Sequence, residues 1–220
     1  MKENQYQDLI DVDREVGRAS FGLMCNQVWH DDPKRLVFVL ARYKFVARLL
    51  EGRATVLEVG CADAFGTRIV QQSVGTVTAI DFDPEFIQDA QNRLQAQWPL
   101  DLRVHDILSS PIQNNFDAAY SIDVMEHILP EHEERFVENV AASINPNGTA
   151  IFGTPSLESQ VYASKQSKAG HVNCKTGEQL KSDLERKFHN VFVFSMNDEV
   201  IHTGFYPMAH YLFAICCGVR

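Results

Sequence analysis

No stretch of the sequence approaches the roughly 20 consecutive apolar residues that a membrane-spanning helix requires. The opening MKENQYQDLIDVDRE is polar and acidic and lacks the apolar centre of a secretion signal. Cysteine is scarce and odd in number. Cys25, Cys61, Cys174, Cys216 and Cys217 match neither a zinc spacing nor a disulfide framework. Cys217 is the fourth residue from the end, and CGVR is a poor prenylation signal. Positive charge is in deficit, 20 Lys and Arg against 29 Asp and Glu, and the net −9 repels phosphate backbones. Together these absences lead us to expect a cytoplasmic protein in a reducing compartment, with no membrane partner and with nucleic acid disfavoured. Hydrophobic residues make up 45% and charged residues 22% of 220, an ordinary globular composition that excludes a disordered or collagen-like chain.

Residues 1–30 carry little periodicity and read as an irregular or loosely helical lead-in. A helix is expected from Asp32, which can cap, through Pro33 to Gly52, with Leu36, Val39, Leu40, Tyr43, Val46 and Leu50 as its apolar stripe. From Ala54 strands and helices alternate. Strands are expected at 55–59, 76–80, 102–105, 116–122 and 149–154. Helices are expected at 65–72, 84–97 and 130–144, with Asp83 capping the second and NPNG (145–148) ending the third. Residues 156–175 show no period. Thr176 with Gln179 makes a capping box for another helix, and 190–195 and 210–216 are the last two strands. Alternation of this kind means a doubly wound α/β fold with a mostly parallel sheet. The last two strands have no helix between them, so they are expected to run antiparallel at the sheet edge, where the apolar tail could pair with a second copy. We divide the chain into a lead-in and helical cap (1–53) and a catalytic domain (54–220).

In such sheets ligands sit at the carboxyl ends of the strands, near the point where strand order reverses. The first such loop is VLEVGCADAFGT (56–67). The second strand ends in Asp81, 21 residues after Gly60, where an acid can accept both ribose hydroxyls. Together these point to an adenosine-containing cofactor. A nicotinamide site would want GxGxxG, and Gly60-Cys61-Ala62-Asp63-Ala64-Phe65 lacks the second and third glycines. A short-chain dehydrogenase would also need Tyr and Lys four apart on a helix, whereas Tyr162 and Lys165 are three apart.

Glu58-Val59-Gly60-Cys61-Ala62-Asp63-Ala64 comes first, then Ala79-Ile80-Asp81 and His105-Asp106-Ile107. FDAAYSIDVMEHI (116–128) and INPNGTAIFGTP (144–155) follow. Over about residues 54–217 this series resembles the class I S-adenosylmethionine-dependent methyltransferases. The resemblance implies a seven-stranded Rossmann-like sheet with an antiparallel last strand, and S-adenosylmethionine as cofactor. By position, Glu58 looks like the acid that orders the Gly loop. Gly60, Cys61 and Ala62 would approach the methionine and ribose parts. Asp81 resembles the ribose acid and Phe82 its neighbour beside the adenine. Asp106 would accept from the adenine amino group with Ile107 packed nearby, and Ser121 and Ile122 would line the methionine end. Ala62 and Ala64 replace the family's later glycines, which is tolerable at negative φ and costly at positive φ. Arg42, on the helix before the first strand, is placed to pair with the donor's carboxylate.

Methyl transfer needs alignment and exclusion of water, and a hydroxyl acceptor also needs its proton removed. His127, just past the fourth strand, is the expected base, with Glu126 and His171 beside it as catalytic candidates. Asp123, Glu126, His127 and His171 also resemble the ligand set of metal-dependent methyltransferases. Asp123 stands where those have Glu, and methyl transfer without a metal is the favoured reading. The expected reaction is O-methylation of a small molecule, a sugar or glycan-precursor hydroxyl first and a phenolic or quinone-precursor hydroxyl second. The acceptor side would include Trp29, His30, His202, Tyr206 and His210. The alternatives are metal-assisted 2′-O-methylation at an RNA terminus and a donor-binding module without turnover. A monomer or homodimer is expected.

Overall fold

The structure, a computed structural model, describes residues 4–113 and 115–220; the first three residues of the polar lead-in lie outside them. Short runs rich in Val, Ile, Leu and Ala, bounded by turn residues, form β1 (Thr55–Val59), β2 (Thr76–Asp81), β3 (Asp101–Val104) and β4 (Phe116–Ile122). The longer runs form β5 (Ile144–Pro155), β6 (Phe188–Asn197), β7 (Val200–His202) and β8 (Tyr211–Val219). They make one sheet in the order β3-β2-β1-β4-β5-β8-β6-β7. The pairs among β3, β2, β1, β4 and β5 are parallel, and β8 runs antiparallel to both β5 and β6.

The expected doubly wound α/β architecture and the antiparallel last strand are therefore present. Two details differ. The sheet has eight strands rather than seven, because β7 folds back on β6 through Asn197↔Val200. At three residues β7 is too short for an alternating pattern to declare itself. Nor is β8 an edge strand. It lies between β5 and β6, so its backbone is paired on both sides and cannot recruit a second copy.

Helices cover both faces. On one, α3 (Pro33–Leu49), α4 (Thr67–Gln71) and α5 (Pro84–Asn92) pack Tyr43, Val46, Val70 and Ile87 against Val56, Ala79, Ala118 and Tyr120. On the other, α6 (Pro130–Ser143) and α8 (Gly177–Leu184) pack Phe136, Val140, Leu180 and Leu184 against Leu57, Ile80, Phe152 and Leu212. Alternate residues of one strand, Val56 and Leu57, thus serve opposite cores, as the period-two pleat demands. The local caps are those the sequence announces. Asp32 accepts from the Lys34 amide (3.2 Å), Asp83 accepts from the Glu85 amide (2.8 Å), and Thr176 with Gln179 closes a capping box. The α5 helix ends at Asn92 instead of 97, and β5 begins at Ile144, directly where α6 stops, so NPNG lies within a strand.

The lead-in is more ordered than its composition suggests. It contains α1 (Gln7–Glu15) and α2 (Leu23–Asp31). The α2 helix has glycine at its N-cap and no side-chain cap of its own. Its free amides are taken from a distance: Cys25 N donates to Asp63 Oδ2 (2.8 Å) and Leu23 N to Asp89 Oδ2 (3.3 Å). Carboxylates at a helix N-terminus are favoured there by the unsatisfied amides and the dipole. Cys25, Val28 and Leu36 then form a small core with Phe21, Leu40 and Phe65. The aperiodic 156–175 segment contains only a 3-10 turn, Glu158–Tyr162, and the short α7 (Lys165–Gly170).

Asp63 also accepts from the Phe65 amide (3.2 Å), so one buried carboxylate joins the lead-in to the loop after β1. Asp63→Ala should cost about 2 kcal/mol by leaving these amides unpaired. The check is the urea midpoint together with protease cleavage before residue 32. An unchanged midpoint and cleavage rate would show that α2 is held by its apolar contacts alone.

Candidate functional site

The tips of β1, β2 and β4 lie side by side, since Val59 pairs with Ile80 and Glu58 with both Ala79 and Tyr120. The reversal of strand order between β1 and β4 opens a crevice at these tips. The loop 60–66 closes its β1 side. Gly60 has φ +77°, and a Cβ there would run into Val124, which follows β4. Close approach of these two segments therefore requires glycine. Ala62 and Ala64 take φ +44° and +51°, the conformation their missing glycines would adopt, so the loop keeps a glycine-like path at a cost in strain.

Three carboxylates hold that loop. Glu58 is buried, and its Oε2 accepts from Thr67 Oγ1 (2.5 Å) and Tyr120 OH (2.8 Å). Burial pushes Glu58 up to about 7, against the opposing pull of its Thr67 and Tyr120 hydrogen bonds. Asp63 is the second. Asp81 is the third: Oδ2 accepts from Ala62 N (2.8 Å) and Oδ1 from Asp83 N (3.0 Å). Each Asp81 oxygen retains a lone pair, so the carboxylate can still accept hydroxyls. Beside it the Phe82 ring is 73% exposed. Asp106, after β3, is exposed and folds its carboxylate over the Leu108 amide (2.8 Å), while Ile107 is buried. Cys61 is buried, and desolvation with the nearby Glu58 and Asp81 charges raises its thiol far above the usual range, which makes it inert. Ser121 is turned inward, donating to the Val59 carbonyl (3.0 Å), and Ile122 belongs to the core beneath the crevice.

Arg42 reaches the same crevice from α3. Its Nη1 pairs with Asp123 Oδ2 at 2.5 Å, and its guanidinium lies 3.8 Å above the Tyr211 ring. Burial pulls its pKa down, but the Asp123 charge and Tyr211 outweigh it, so the net shift is upward. Asp123 itself sits at φ +58°.

Past β4, a 3-10 turn (Met125–His127) carries Glu126 and His127. The Glu126 carbonyl accepts from Val172 N (2.8 Å) and Asn173 N (3.1 Å), which returns the aperiodic segment over this edge. His171 thereby comes to His127, ring centroids 5.3 Å apart. His127 Nδ1 lies 2.9 Å from the Gly170 carbonyl and His171 Nδ1 2.8 Å from Gln160 Oε1. A carbonyl oxygen can only accept, so each Nδ1 carries the proton and each Nε2 keeps its lone pair. Glu126 is 1% exposed, accepts from Thr154 Oγ1 (3.2 Å), and is pushed up to about 8 by burial and then by Asp123. Burial first, and then His127, lower His171.

Glu126, His127 and His171 bring one ligand atom each within 4.8 Å of one another. One carboxylate and two imidazoles with their second nitrogens held by oxygens suit a divalent transition metal. Asp123, expected as a fourth member, is not of this group, because Arg42 holds its carboxylate. His202 and His210 are likewise engaged elsewhere, with Asn197 Oδ1 (3.0 Å) and the Asp198 amide (2.6 Å) at the β6–β7 hairpin. The sequence reading missed the roles of Asp63, Val124 and Thr154, which lie inside the quoted motifs but act on partners elsewhere in the chain, and of Gln160, which lies in none.

Two outcomes test this geometry. Glycine at both 62 and 64 should release left-handed strain worth about 1 kcal/mol per site and raise the urea midpoint; a lower midpoint would mean that the methyl groups pack productively. Glu58 binds its proton more tightly folded than unfolded. Its contribution to stability is therefore full below about pH 4 and is lost as pH rises to about 7. Glu58→Gln should flatten the stability–pH curve over that window, and parallel curves would refute the assignment.

Residues 56–148 match the model of a family described as a methyltransferase domain. Proteins of Mycobacterium tuberculosis and Mycobacterium bovis, each named as an uncharacterized methyltransferase, are 30% identical over 115 residues, 50% of this chain and 57% of theirs. The match thus spans little more than half the length of these curated relatives. Among solved structures, the N-methyltransferase NodS of Bradyrhizobium japonicum, in complex with S-adenosyl-L-homocysteine, superposes with TM-score 0.63 at 19% identity, covering 98% of this chain and 99% of that one. A TehB-like SAM-dependent methyltransferase of Corynebacterium glutamicum gives 0.62 at 16% identity, covering 98% and 96%. The CurJ carbon methyltransferase gives 0.64 at 12%, covering 88% and 57%. Motifs, matched segment and architecture agree: residues 56–148 are similar to a methyltransferase domain, and the sheet has the fold of these methyltransferase structures.

Proposed function

We propose that the protein transfers the methyl group of S-adenosylmethionine to a hydroxyl of a small molecule, a sugar or glycan-precursor hydroxyl first and a phenolic or quinone-precursor hydroxyl second. In this reading residues 1–53 form the cap and 54–220 the catalytic domain. The observation that carries the choice of a hydroxyl is the free Nε2 of His127, half-exposed past the tip of β4 and fixed as a base by its Nδ1 contact to Gly170. The donor's sulfonium already activates the methyl group, so an amine acceptor needs little help. A neutral hydroxyl gains most from a positioned base.

Asp81 would hold the ribose, Phe82 and Ile107 the adenine faces, and Asp106 the adenine amino group. Gly60, Cys61 and Ala62 would pass along the methionine and ribose, with Glu58 holding their loop in shape and Ser121 and Ile122 underlying the methionine end. Arg42 would meet the donor carboxylate by exchanging it for Asp123. Glu126 and His171, which flank His127, would act with it in catalysis, and the net charge of −9 favours an uncharged or cationic acceptor over RNA.

Calorimetric titration with S-adenosylmethionine and its demethylated product should show binding that Asp81→Ala weakens at least tenfold. With a panel of sugars, phenols, amines and a short RNA, His127→Ala should lower kcat by about 10²–10⁴ for hydroxyl acceptors while donor affinity stays unchanged. Turnover of amines alone, indifferent to His127→Ala, would overturn the hydroxyl assignment. Donor binding with no acceptor in any class would leave a binding module.

The clustering of Glu126, His127 and His171 supports a second reading, in which a divalent metal held by these three lowers the pKa of the acceptor hydroxyl. In that case Mn²⁺ or Zn²⁺ should raise the melting temperature of the wild type and not of His171→Ala.

A further inference from the structure

A cavity of about 580 Å³ lies behind the loop after β1, on the face covered by α4 and α5. It shares no residue with the Glu126–His127–His171 cluster and contains neither Asp81 nor Phe82. Residues 18–20 of the lead-in contribute to its rim. Its walls are largely apolar: Leu40, Phe65, Ile69, Leu94, Leu100 and Leu102. The volume falls in the range of sites for small organic ligands, about 300–1,000 Å³.

The charge of the cavity runs against that of the protein. Three arginines line it, and Asp63 is the one carboxylate among the lining residues. That carboxylate is buried and spent on the Cys25 and Phe65 amides. Two of the arginines are also spent. Arg18 pairs with Asp13 (2.8 Å), and Arg93 with Asp89 (2.8 Å) and the Asp63 carbonyl. Arg68 is different. Its guanidinium lies 3.5 Å over the Trp98 ring, and its Nη1 is buried with no hydrogen-bond partner. Among the described residues no carboxylate pairs with it. In a chain of net charge −9, a half-buried guanidinium that lines an apolar cavity without a carboxylate partner among the described residues is open to an anionic ligand.

We infer that this cleft binds an organic carboxylate with an apolar body of medium length. The carboxylate would accept from the Arg68 guanidinium, and the body would lie along the leucine-lined wall. One free guanidinium matches one negative charge, and its planar fork matches a carboxylate. The apolar walls exclude a small inorganic anion as the intended occupant, since it would leave them wet. The site stands apart from methyl transfer and requires neither donor nor acceptor.

The protein has two tryptophans, so Trp29→Phe leaves Trp98 as the sole tryptophan reporter of the cleft. Decanoate, 1-decanol and decyl phosphate would be titrated below their aggregation concentrations, with calorimetry as an independent readout. Decanoate should change Trp98 emission saturably and bind at least tenfold more tightly than 1-decanol. Arg68→Gln should bring the two to equal affinity, and Arg68→Lys should restore part of the difference with the melting temperature held. Equal affinity of decanoate and decanol for the unaltered site would overturn the proposal. So would decanoate binding that survives Arg68→Gln by calorimetry. A preference for decyl phosphate would overturn the carboxylate assignment.

Discussion

The loop between β1 and α4 arches over the strand tips through left-handed residues, and buried carboxylates keep it from collapsing onto the sheet. Glu58 ties the loop's far end, through Thr67, to Tyr120 on β4. Asp81 holds the Ala62 amide from β2, and Asp63 reaches back to α2. Each acid binds donors from a different element, so β1, β2, β4 and the lead-in share one geometry. A buried acid is costly when unpaired and strong when saturated with donors. Glu58 lies between these limits, with one oxygen doubly bonded and the other without a partner.

Much of the fold was legible because its signals are local. TVLEV and FDAAYSI are strands from end to end as read, and the caps at Asp32, Asp83 and Thr176 form the hydrogen bonds that their spacing predicts. What stayed hidden depends on partners far along the chain. The α2 helix has a weak apolar pattern, and its N-terminus is completed by Asp63 and Asp89, 38 and 66 residues away. No window over residues 1–30 contains those acids. The pairing of Arg42 with Asp123 spans 81 residues, and it explains why an arginine and an aspartate with separate expected roles meet in one ion pair. The left-handed φ of Ala62 and Ala64 contradicts alanine's own preference, so only the path of the loop reveals it.

The edge past β4 shows how a segment without periodicity becomes ordered. Residues 156–175 bury little. They are placed by discrete polar contacts: Val172 and Asn173 to the Glu126 carbonyl, Ser156 Oγ to the Ala209 carbonyl, and His171 to Gln160. Such contacts leave no trace in hydrophobic spacing, yet they set which nitrogen of each histidine keeps its lone pair. The sequence put His127 and His171 on the same edge; their tautomers follow from oxygens supplied by Gly170 and Gln160.

The position of β8 bears on how the chain acquires this sheet. Residues 211–219 fill the gap between β5 and β6, and their partners on β5 lie far earlier in the chain, as Tyr211 with Pro155 and Cys217 with Thr149. Until they are synthesised, β5 and β6 each present an unpaired backbone edge, and half of the sheet has no continuous core to rest on. Loop-closure entropy makes such long-range insertion slow, and open edges invite wrong partners. A nascent chain halted before residue 211 would therefore hold the loop after β1 and the β3-β2-β1-β4 tips in near-final form while remaining prone to aggregate through β5. The half of the sheet that carries the loop after β1 would assemble first, and completion of the sheet would wait on its last strand in sequence.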